Sequence, residues 1–287
     1  MPIIKATNLA CPLDGLPLSH ADKCYTCGNG HSFDEARQGY VNLLPVQHKA
    51  SRNPGDSKEM VVARSGFLNT GLYEPVAKKI SGMLTNLLDT NGQSDRCLVD
   101  AGCGEGYYLD YIINNLSASE TETSLSCIGI DISKAAIIAA TKRNTRICWL
   151  VASNKLIPLL PASVDVIICM FGFPSYESFQ TILKPGGRII LVDAGPLHLI
   201  ELRERIYPII KEVKDYDSSK LEQNGFVIQR EDTLHYEARL DSNETIMQLM
   251  AMTPHLYRAS REGIARIKTL QAISVTVDVV YRILARG

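Results

Sequence analysis

The chain has 287 residues and a formal net charge of −1, with 45% hydrophobic and 21% charged residues. This composition is ordinary for a globular protein and excludes both large-scale disorder and a globally basic field of the kind that attracts nucleic acid. The longest apolar stretch is about ten residues, whereas a transmembrane helix needs roughly 20. The first ten residues lack a basic region followed by a long apolar core, so we expect no signal peptide and a cytoplasmic protein.

Residues 1–40 are predicted to form a small zinc-binding module. Three of the eight cysteines lie in this segment, which has too few apolar residues to build a core without a metal or disulfides. A structural zinc site needs four ligands in a tetrahedral array. Cys24 and Cys27 form a C-x-x-C pair, and His31 follows within a turn. We therefore predict that Cys11, Cys24, Cys27 and His31 bind zinc, with Asp14 as the competing fourth ligand. The alternative is a zinc site that substitution has degraded.

Residues 41–90 are predicted to link this module to the catalytic domain. An Asn-Pro-Gly-Asp turn at residues 53–56 follows a polar loop. Apolar residues then recur with a spacing near 3.6 between Lys58 and Leu88, which predicts two helices broken near Gly71.

Residues 91–287 are predicted to form the catalytic domain, because strand and helix signals alternate from residue 96 onward. Strands are predicted over residues 97–100, 126–131, 147–152, 164–170 and 188–192, and helices over residues 106–116, 133–144, 175–183 and 199–213. Strands joined by helices in this way form a doubly wound, parallel α/β sheet.

The loop from Asp100 to Gly106, Asp-Ala-Gly-Cys-Gly-Glu-Gly, closes one predicted strand and opens the next helix. Gly102 and Gly104 let the backbone approach a ligand closely, at the sheet edge where open α/β folds bind ligands. Asp131 ends the next strand, where a carboxylate can accept the hydroxyls of a ribose. The alternating glycines differ from the G-x-G-x-x-G pattern of dinucleotide sites.

The D-x-G-x-G-x-G pattern resembles motif I of the Rossmann-like, class I methyltransferases, which use S-adenosylmethionine. Asp131 matches their motif II, residues 184–187 resemble their K-P-G-G turn, and residues 156–158 stand where they carry an L-P-F segment behind the adenine. The resemblance implies a mostly parallel, seven-stranded sheet and S-adenosylmethionine as the cofactor. A glycine turn in a nonenzymatic domain, the alternative, does not explain four ordered motifs.

A more specific resemblance runs over nearly the whole chain. It is carried by the stretches Gly-Tyr-Val-Asn-Leu-Leu-Pro-Val-Gln (39–47), Pro-Gly-Asp (54–56), Gly-Cys-Gly-Glu-Gly-Tyr-Tyr (102–108), Gly-Pro-Leu-His-Leu (195–199) and Met-Thr-Pro (252–254). Together these resemble the bacterial 23S rRNA guanine-N1 methyltransferases. The resemblance implies methyl transfer to N1 of one guanine in a 23S rRNA hairpin, a zinc module that helps to bind RNA, and a homodimer.

The same resemblance implies specific site residues. The cofactor contacts that it implies are Tyr73, Asp100, Gly102, Gly104, Tyr108, Leu109, Asp131 and His198. The zinc ligands of the family follow the pattern C-x2-C-x12-C-x3-H. Asp14 stands at the second cysteine of that pattern, and Cys24 has no counterpart in it.

The residues that handle the target base are less defined. Guanine N1 carries a proton on the Watson–Crick edge, so the enzyme must free that edge, and a general base assists loss of the proton. Asp193, at the end of the fifth strand, is a candidate base, with a turn-capping carboxylate as the alternative. Phe171 or Phe173, after the fourth strand, is a candidate for stacking on the guanine, with core packing as the alternative.

Two groups of basic residues are predicted to contact RNA phosphates, against the alternative of solvated surface charge. They are Lys49, Arg52 and Arg64 in one group and Arg258, Arg261, Arg266 and Lys268 in the other. Two rival functions stay open. A methyltransferase for a small molecule would have no need of the zinc module, and a noncatalytic RNA-binding protein with a vestigial fold would have no need of an intact motif I.

Overall fold

The computed structural model describes residues 2–48, 54–88, 95–116, 124–210 and 216–287. The strands in these ranges are β1 (Ile3–Ile4), β2 (Ser19–Ala21), β3 (Cys24–Thr26), β4 (Ser32–Asp34), β5 (Tyr40–Asn42), β6 (Asp95–Ala101), β7 (Ser124–Asp131), β8 (Cys148–Val151), β9 (Val164–Met170), β10 (Leu183–Ala194), β11 (Phe226–Leu240) and β12 (Ile273–Arg286). The helices are α1 (Lys58–Leu68), α2 (Glu74–Leu88), α3 (Tyr107–Asn115), α4 (Lys134–Arg143), α5 (Tyr176–Ile182), α6 (Ile200–Ile206), α7 (Ser219–Gln223), α8 (Asn243–Ala251), α9 (His255–Arg258) and α10 (Arg261–Lys268).

The main sheet contains nine of the described strands. Eight follow the order β11-β12-β10-β9-β6-β7-β8-β5, and β1 pairs with the start of β7. The pairs from β10 through β5 are parallel, while β12 runs antiparallel between β10 and β11. The predicted doubly wound, mostly parallel sheet is confirmed. It exceeds seven strands because two short strands from the N-terminal part of the chain join it, β5 at the edge beside β8 and β1 beside the start of β7.

Helices cover both faces of this sheet, and the side chains of the strands alternate between them. Along β10, Ile190 and Val192 belong to the hydrophobic cluster under α1–α4, α6, α8 and α10, whereas Ile189 and Leu191 belong to the cluster under α5 and α7. None of the described helices combines the length and the apolar character that a membrane span requires.

The helix predicted over residues 199–213 is shorter in the structure. It ends at Ile206, and Tyr207 adopts an extended backbone with φ −104° and ψ 137°. Pro208 explains the early end, because the ring of a proline disfavours the helical conformation of the residue before it. Residues 211–215 lie outside the described part of the chain.

The strands β2, β3 and β4 form a separate antiparallel sheet in the N-terminal module. This module packs against the segment that follows β8. The Ala10 amide donates to the Pro158 carbonyl at 2.9 Å, and the Leu160 amide donates to the Asn8 carbonyl at 2.9 Å. The predicted domain boundary after residue 40 falls inside β5, and the boundary after residue 90 lies outside the described residues.

Candidate active site and metal centre

A cavity of about 700 Å³ opens at the carboxyl ends of β6, β7, β9 and β10. Its walls also include parts of α1 and the connection between α8 and α9. Ten of the residues predicted for cofactor binding or catalysis line it, namely Tyr73, Asp100, Gly102, Gly104, Tyr108, Asp131, Phe171, Phe173, Asp193 and His198. Residues that lie up to 125 positions apart in the chain, such as Tyr73 and His198, therefore share one site.

The glycine loop after β6 has a backbone that other residues rarely adopt. Gly102, Gly104 and Gly106 have φ values of 96°, 56° and 84°, in the left-handed region. The amides of Gly102 and Cys103 both donate to the Ile130 carbonyl, at 2.8 and 2.9 Å, and thereby attach the loop to β7. The space beside Gly102 is open, since an added Cβ would meet nothing closer than 3.7 Å. Hydrogen bonds therefore hold the loop against β7, and the loop leaves room for a ligand.

Two carboxylates face this loop from the ends of neighbouring strands. Asp131 accepts from the Gly104 amide at 2.9 Å and from the Ser133 amide at 2.7 Å. Asp100 is buried, and its Oδ1 has no hydrogen-bond partner among the described residues. Burial, reinforced by the charge of Asp131, raises the pKa of Asp100 to about 7.

These features fit S-adenosylmethionine. The residues that line the cavity include three with a buried acceptor atom that has no partner in the described chain, namely Asp100 Oδ1, Glu105 Oε1 and Asn154 Oδ1. A buried acceptor left unmatched is costly, so a ligand with amine and hydroxyl donors would stabilise such a site. The ribose hydroxyls, the ammonium group and the adenine amine of this cofactor are such donors.

Tyr73 and His198 form a hydrogen-bonded pair in the lining of the cavity. The Tyr73 hydroxyl lies 3.2 Å from His198 Nε2, and the Asp278 amide lies 3.2 Å from His198 Nδ1. Because an amide only donates, Nδ1 accepts, and Nε2 carries the proton that it shares with the tyrosine oxygen. Burial lowers the pKa of His198 to about 4, so the ring is neutral at pH 7. The Tyr73 hydroxyl keeps its own proton for donation to a ligand.

Two predicted contacts are placed elsewhere by the structure. Leu109 is fully buried in the helical core and does not line the cavity, because each residue of a helix is rotated by about 100° from the last and Tyr108 takes the inward position. Arg64, predicted to contact RNA phosphates, lines the cavity instead and forms an ion pair with Asp56. It sits 3.3 Å from where a Cβ of Gly104 would lie.

The other predicted RNA contacts divide into two groups. Lys49 and Arg52 lie outside the described residues. Arg258, Arg261, Arg266 and Lys268 are exposed, and none of them forms an ion pair with an acidic side chain in the part of the chain that the structure describes.

Exposed aromatic rings lie at the end of β9. Phe171 has a left-handed backbone with φ 48°, and its amide donates to the Val192 carbonyl at 2.7 Å. Its ring is stacked on His198 with a centroid separation of 6.0 Å. Phe171 is 40% exposed and Phe173 is 93% exposed. Core packing, the alternative weighed for these two residues, therefore does not describe Phe173.

Asp193 lies beside them at the end of β10. Its Oδ2 accepts from Arg282 Nη1 at 3.1 Å, and burial raises its pKa against the opposing effect of Arg282. The turn that follows is capped by another residue, since the Leu197 amide donates to Asp278 Oδ2 at 2.9 Å. The sequence analysis did not identify Asp278 as the residue that caps this turn. A single acidic residue inside the mostly apolar β12 was a signal that could have indicated such a role.

The metal centre lies in the N-terminal module. Its ligand atoms come from Cys11, Asp14, Cys27 and His31 and lie within 4.8 Å of one another. Cys27 Sγ is 3.4 Å from both His31 Nδ1 and Asp14 Oδ2, and Cys11 Sγ is 3.5 Å from His31 Nδ1. Zinc bonds of about 2.0 to 2.3 Å imply ligand separations of roughly 3.3 to 3.8 Å in a tetrahedron. His31 Nδ1 and Asp14 Oδ2 are closer, at 3.0 Å, and the set of two thiols, one imidazole and one carboxylate consists of ligands that zinc binds.

Cys24 does not belong to this cluster, and the structure favours the alternative ligand, Asp14. The reason is the alternation of side chains along a strand. Cys24 begins β3, and its Sγ lies 3.8 Å from the Thr26 hydroxyl on the same side of the strand. Cys27 is an odd number of positions away, so its thiol is on the opposite side.

Comparisons with known proteins agree with both sites. A family model described as "RlmA, N-terminal" matches residues 9–52, and one described as "Methyltransferase domain" matches residues 98–187. The 23S rRNA (guanine(748)-N(1))-methyltransferase of Streptomyces fradiae is 29% identical over 281 residues, which cover 96% of this chain and 95% of that protein. A protein of Micromonospora griseorubida named "Putative 23S rRNA (guanine-N(1)-)-methyltransferase" is 33% identical over 214 residues, which cover 69% of this chain and 70% of that protein.

Proposed function

We propose that this chain, which belongs to the 23S rRNA (guanine-N1)-methyltransferase family, transfers a methyl group to N1 of a guanine in a 23S rRNA hairpin. S-adenosylmethionine is the cofactor of its methyltransferase domain, and zinc is the structural metal of its ribbon. One observation carries the proposal. A single cavity joins the glycine loop and Asp131, suited to a nucleoside cofactor, to exposed aromatic rings suited to an unpaired base.

Different residues of the cavity would bind different parts of the cofactor. Asp131 would accept from the ribose hydroxyls, and the glycine loop after β6 would contact the cofactor through its backbone. Tyr73, Tyr108 and His198 line the same cavity and would contact the cofactor as well. When bound, S-adenosylmethionine supplies a methyl group on a positively charged sulfur, so much of the protein's contribution is to place guanine N1 in line with that methyl group.

We also propose the three-part organisation of the chain, with a zinc module at residues 1–40, a linking segment at residues 41–90 and the methyltransferase domain at residues 91–287. The zinc module and the exposed cations of α9 and α10 would bind the RNA backbone. A homodimer, which the resemblance to the family implies, is part of the proposal. So is a cytoplasmic location, since ribosomal RNA is the substrate that the family acts on.

The test is tritiated methyl transfer to ribosomal RNA from a strain that lacks this modification, followed by nucleoside analysis. We expect 1-methylguanosine, and we expect none from an Asp131→Ala variant. Transfer to a small-molecule extract but not to RNA would support the small-molecule rival. Absence of S-adenosylmethionine binding in calorimetry would support the noncatalytic rival.

Primer extension on the product identifies the modified guanine, because a methyl group on the Watson–Crick edge blocks reverse transcription. A stop at guanine 748 would mean that this chain modifies the guanine for which its Streptomyces fradiae relative is named. A stop at another guanine of the hairpin would mean that this chain catalyses the same class of reaction on a different guanine.

A further inference from the structure

Asp193 has one oxygen that nothing in the described chain engages. Arg282 Nη1 holds its Oδ2 at 3.1 Å, whereas its Oδ1 forms no hydrogen bond with any described residue. The side chain is 40% exposed and lines the cavity beside the exposed rings of Phe171 and Phe173. A carboxylate oxygen next to a stacking surface is suited to recognising a base. The aromatic rings can stack on the face of the base while the oxygen accepts a hydrogen bond from its edge.

Arg282 keeps this carboxylate in one orientation. Its side chain is only 8% exposed, and its Nε donates to Glu231 Oε2 at 2.7 Å. The guanidinium lies over the ring of Tyr216, 3.8 Å from the ring centroid, and the Tyr216 hydroxyl is 3.0 Å from the Tyr176 hydroxyl. A guanidinium held on three sides leaves the carboxylate little rotational freedom, so Asp193 is positioned before any substrate arrives.

We propose that Asp193 recognises the Watson–Crick edge of the target guanine and accepts its N1 proton. This inference rests on the function proposed above and names the residue that would select the base. Guanine is the RNA base with two adjacent donors on that edge, N1–H and the N2 amine. An ionised carboxylate has acceptors and no donor: the free Oδ1 of Asp193 can accept from one guanine donor, and Oδ2 can accept from the other through the lone pair that Arg282 does not use. The carboxylate would disfavour adenine, because adenine N1 is also an acceptor and cannot donate a hydrogen bond to it.

The same contact serves the reaction. As guanine N1 forms its bond to the methyl carbon, the N1 proton moves to the Asp193 carboxylate and later passes to water. The bond between the methyl carbon and sulfur breaks, and its electron pair stays on sulfur, which becomes neutral. No oxidant or reductant takes part. General base catalysis of this kind contributes typically 10²–10⁴-fold.

The groups that interact electrostatically with Asp193 come from three elements and one connecting segment. They are Arg282 on β12, Tyr176 on α5, Cys169 on β9, and Tyr216 before α7. Glu231 on β11 accepts from Arg282 and so contacts Asp193 only through that residue. Burial raises the pKa of Asp193, with Arg282 opposing that rise. A raised pKa makes the carboxylate a better proton acceptor than an exposed aspartate.

The experiment compares guanine with inosine at the target position of a synthetic hairpin, because inosine keeps N1–H and lacks the N2 amine. For the wild-type enzyme we expect inosine to lower kcat/KM by roughly 10- to 100-fold, the usual effect of leaving one hydrogen-bonding group without its partner. For Asp193→Asn we expect kcat on guanine to fall by roughly 10²–10⁴-fold. We expect its preference for guanine over inosine to shrink to within about threefold.

Two further readouts separate a catalytic from a structural role. The amide oxygen of Asp193→Asn can still accept from Arg282, so the melting temperature and the S-adenosylmethionine affinity should match the wild type. The rate of this variant should rise steadily with pH as guanine itself ionises. Asp241→Asn is the matched control, because Asp241 is an exposed aspartate that also pairs with an arginine, Arg239. It should leave all these values unchanged.

The outcomes distinguish the two proposals. If the wild-type enzyme methylates guanine but Asp193→Asn keeps the wild-type ratio of guanine to inosine and the wild-type pH profile, Asp193 does not recognise the base and only this inference is overturned. If the wild-type enzyme does not methylate guanine in RNA, the proposed function itself fails.

Discussion

The metal centre and the cofactor cavity both gather side chains that repel one another when charged, but different forces hold the two groups together. In the metal centre, four ligand atoms from Cys11, Asp14, Cys27 and His31 lie within 4.8 Å of one another. In the cavity, Asp131 is held by two backbone amides, and Asp100 is buried at the end of a central strand. The first arrangement needs an ion to be stable, whereas the second is formed by the sheet itself.

This difference indicates that the two sites are stabilised in different ways, one by a metal ion and the other by the packing of the sheet. The three short strands of the zinc module supply few apolar residues, although Leu9, Leu18 and Tyr25 join the core of the main sheet, so we expect the order of the module to depend on the metal. The cavity is framed by long strands with buried side chains on both faces. The two regions meet at the segment after β8, where the Ala10 amide bonds to Pro158 and where Ser153 and Asn154 line the cavity.

Zinc removal should have the largest effect and should separate the two regions. We expect a chelator to abolish the protection of backbone amides in β2–β4 while β6, β7 and β9 stay protected, since a structural zinc contributes on the order of 10 kcal/mol. Hydrogen exchange followed by mass spectrometry measures both regions at once. Cys27→Ser should behave like chelated protein and Cys24→Ser like the wild type. Protected β2–β4 amides without metal would show that the module folds by itself.

Asp100→Asn tests the cost of the buried carboxylate in the cavity. The folded pKa of Asp100, about 7, is raised above the ordinary 3.8. Its contribution to stability is therefore fully present below pH 3.8 and is lost as the pH rises through 7. Between pH 4 and pH 8, we expect the free energy of unfolding of the wild type to fall by ~2–4 kcal/mol relative to that of the variant. The variant should also bind S-adenosylmethionine at least about tenfold more weakly, because an amide accepts less well than a carboxylate.

Urea unfolding of both proteins across that pH range measures the stability difference. His198 titrates in an overlapping window with the opposite sign, because its pKa is lowered and its contribution is lost as the pH falls from 6.5 through 4. Taking the difference between wild type and variant cancels that contribution. An identical pH dependence for the two proteins would contradict the prediction.

Asp14→Cys should have the smallest effect and should bring the metal centre closer to the family's pattern. A thiolate suits zinc better than a carboxylate does, so we expect zinc affinity to rise by about tenfold, or ~1.4 kcal/mol. Competition with a chromophoric chelator measures it. Asp22→Cys, at an exposed turn outside the cluster, is the control and should leave the affinity unchanged. Weaker binding by Asp14→Cys would mean that the carboxylate geometry is required.

Much of the fold and of the cofactor site followed from local sequence patterns. The strands around the glycine loop, the helix that Ser133 caps and the break near Gly71 all follow from spacing and turn chemistry that act within a few residues. Contacts between distant segments did not follow in this way. Nothing in the sequence placed Arg64 beside Gly104, because that contact depends on how α1 packs over the sheet.

The sequence by itself determined the class of the protein, since motif I, Asp131 and the cysteine module are each encoded in short stretches whose backbone needs are local. Only the tertiary structure decided between Cys24 and Asp14, because the answer depends on which of the two side chains lies close to Cys11, Cys27 and His31. It also decided the surroundings of Asp193, whose partner Arg282 lies 89 residues away on an antiparallel neighbour. The pairing of strands and the approach of distant segments are collective properties of the packed chain, and no local pattern records them.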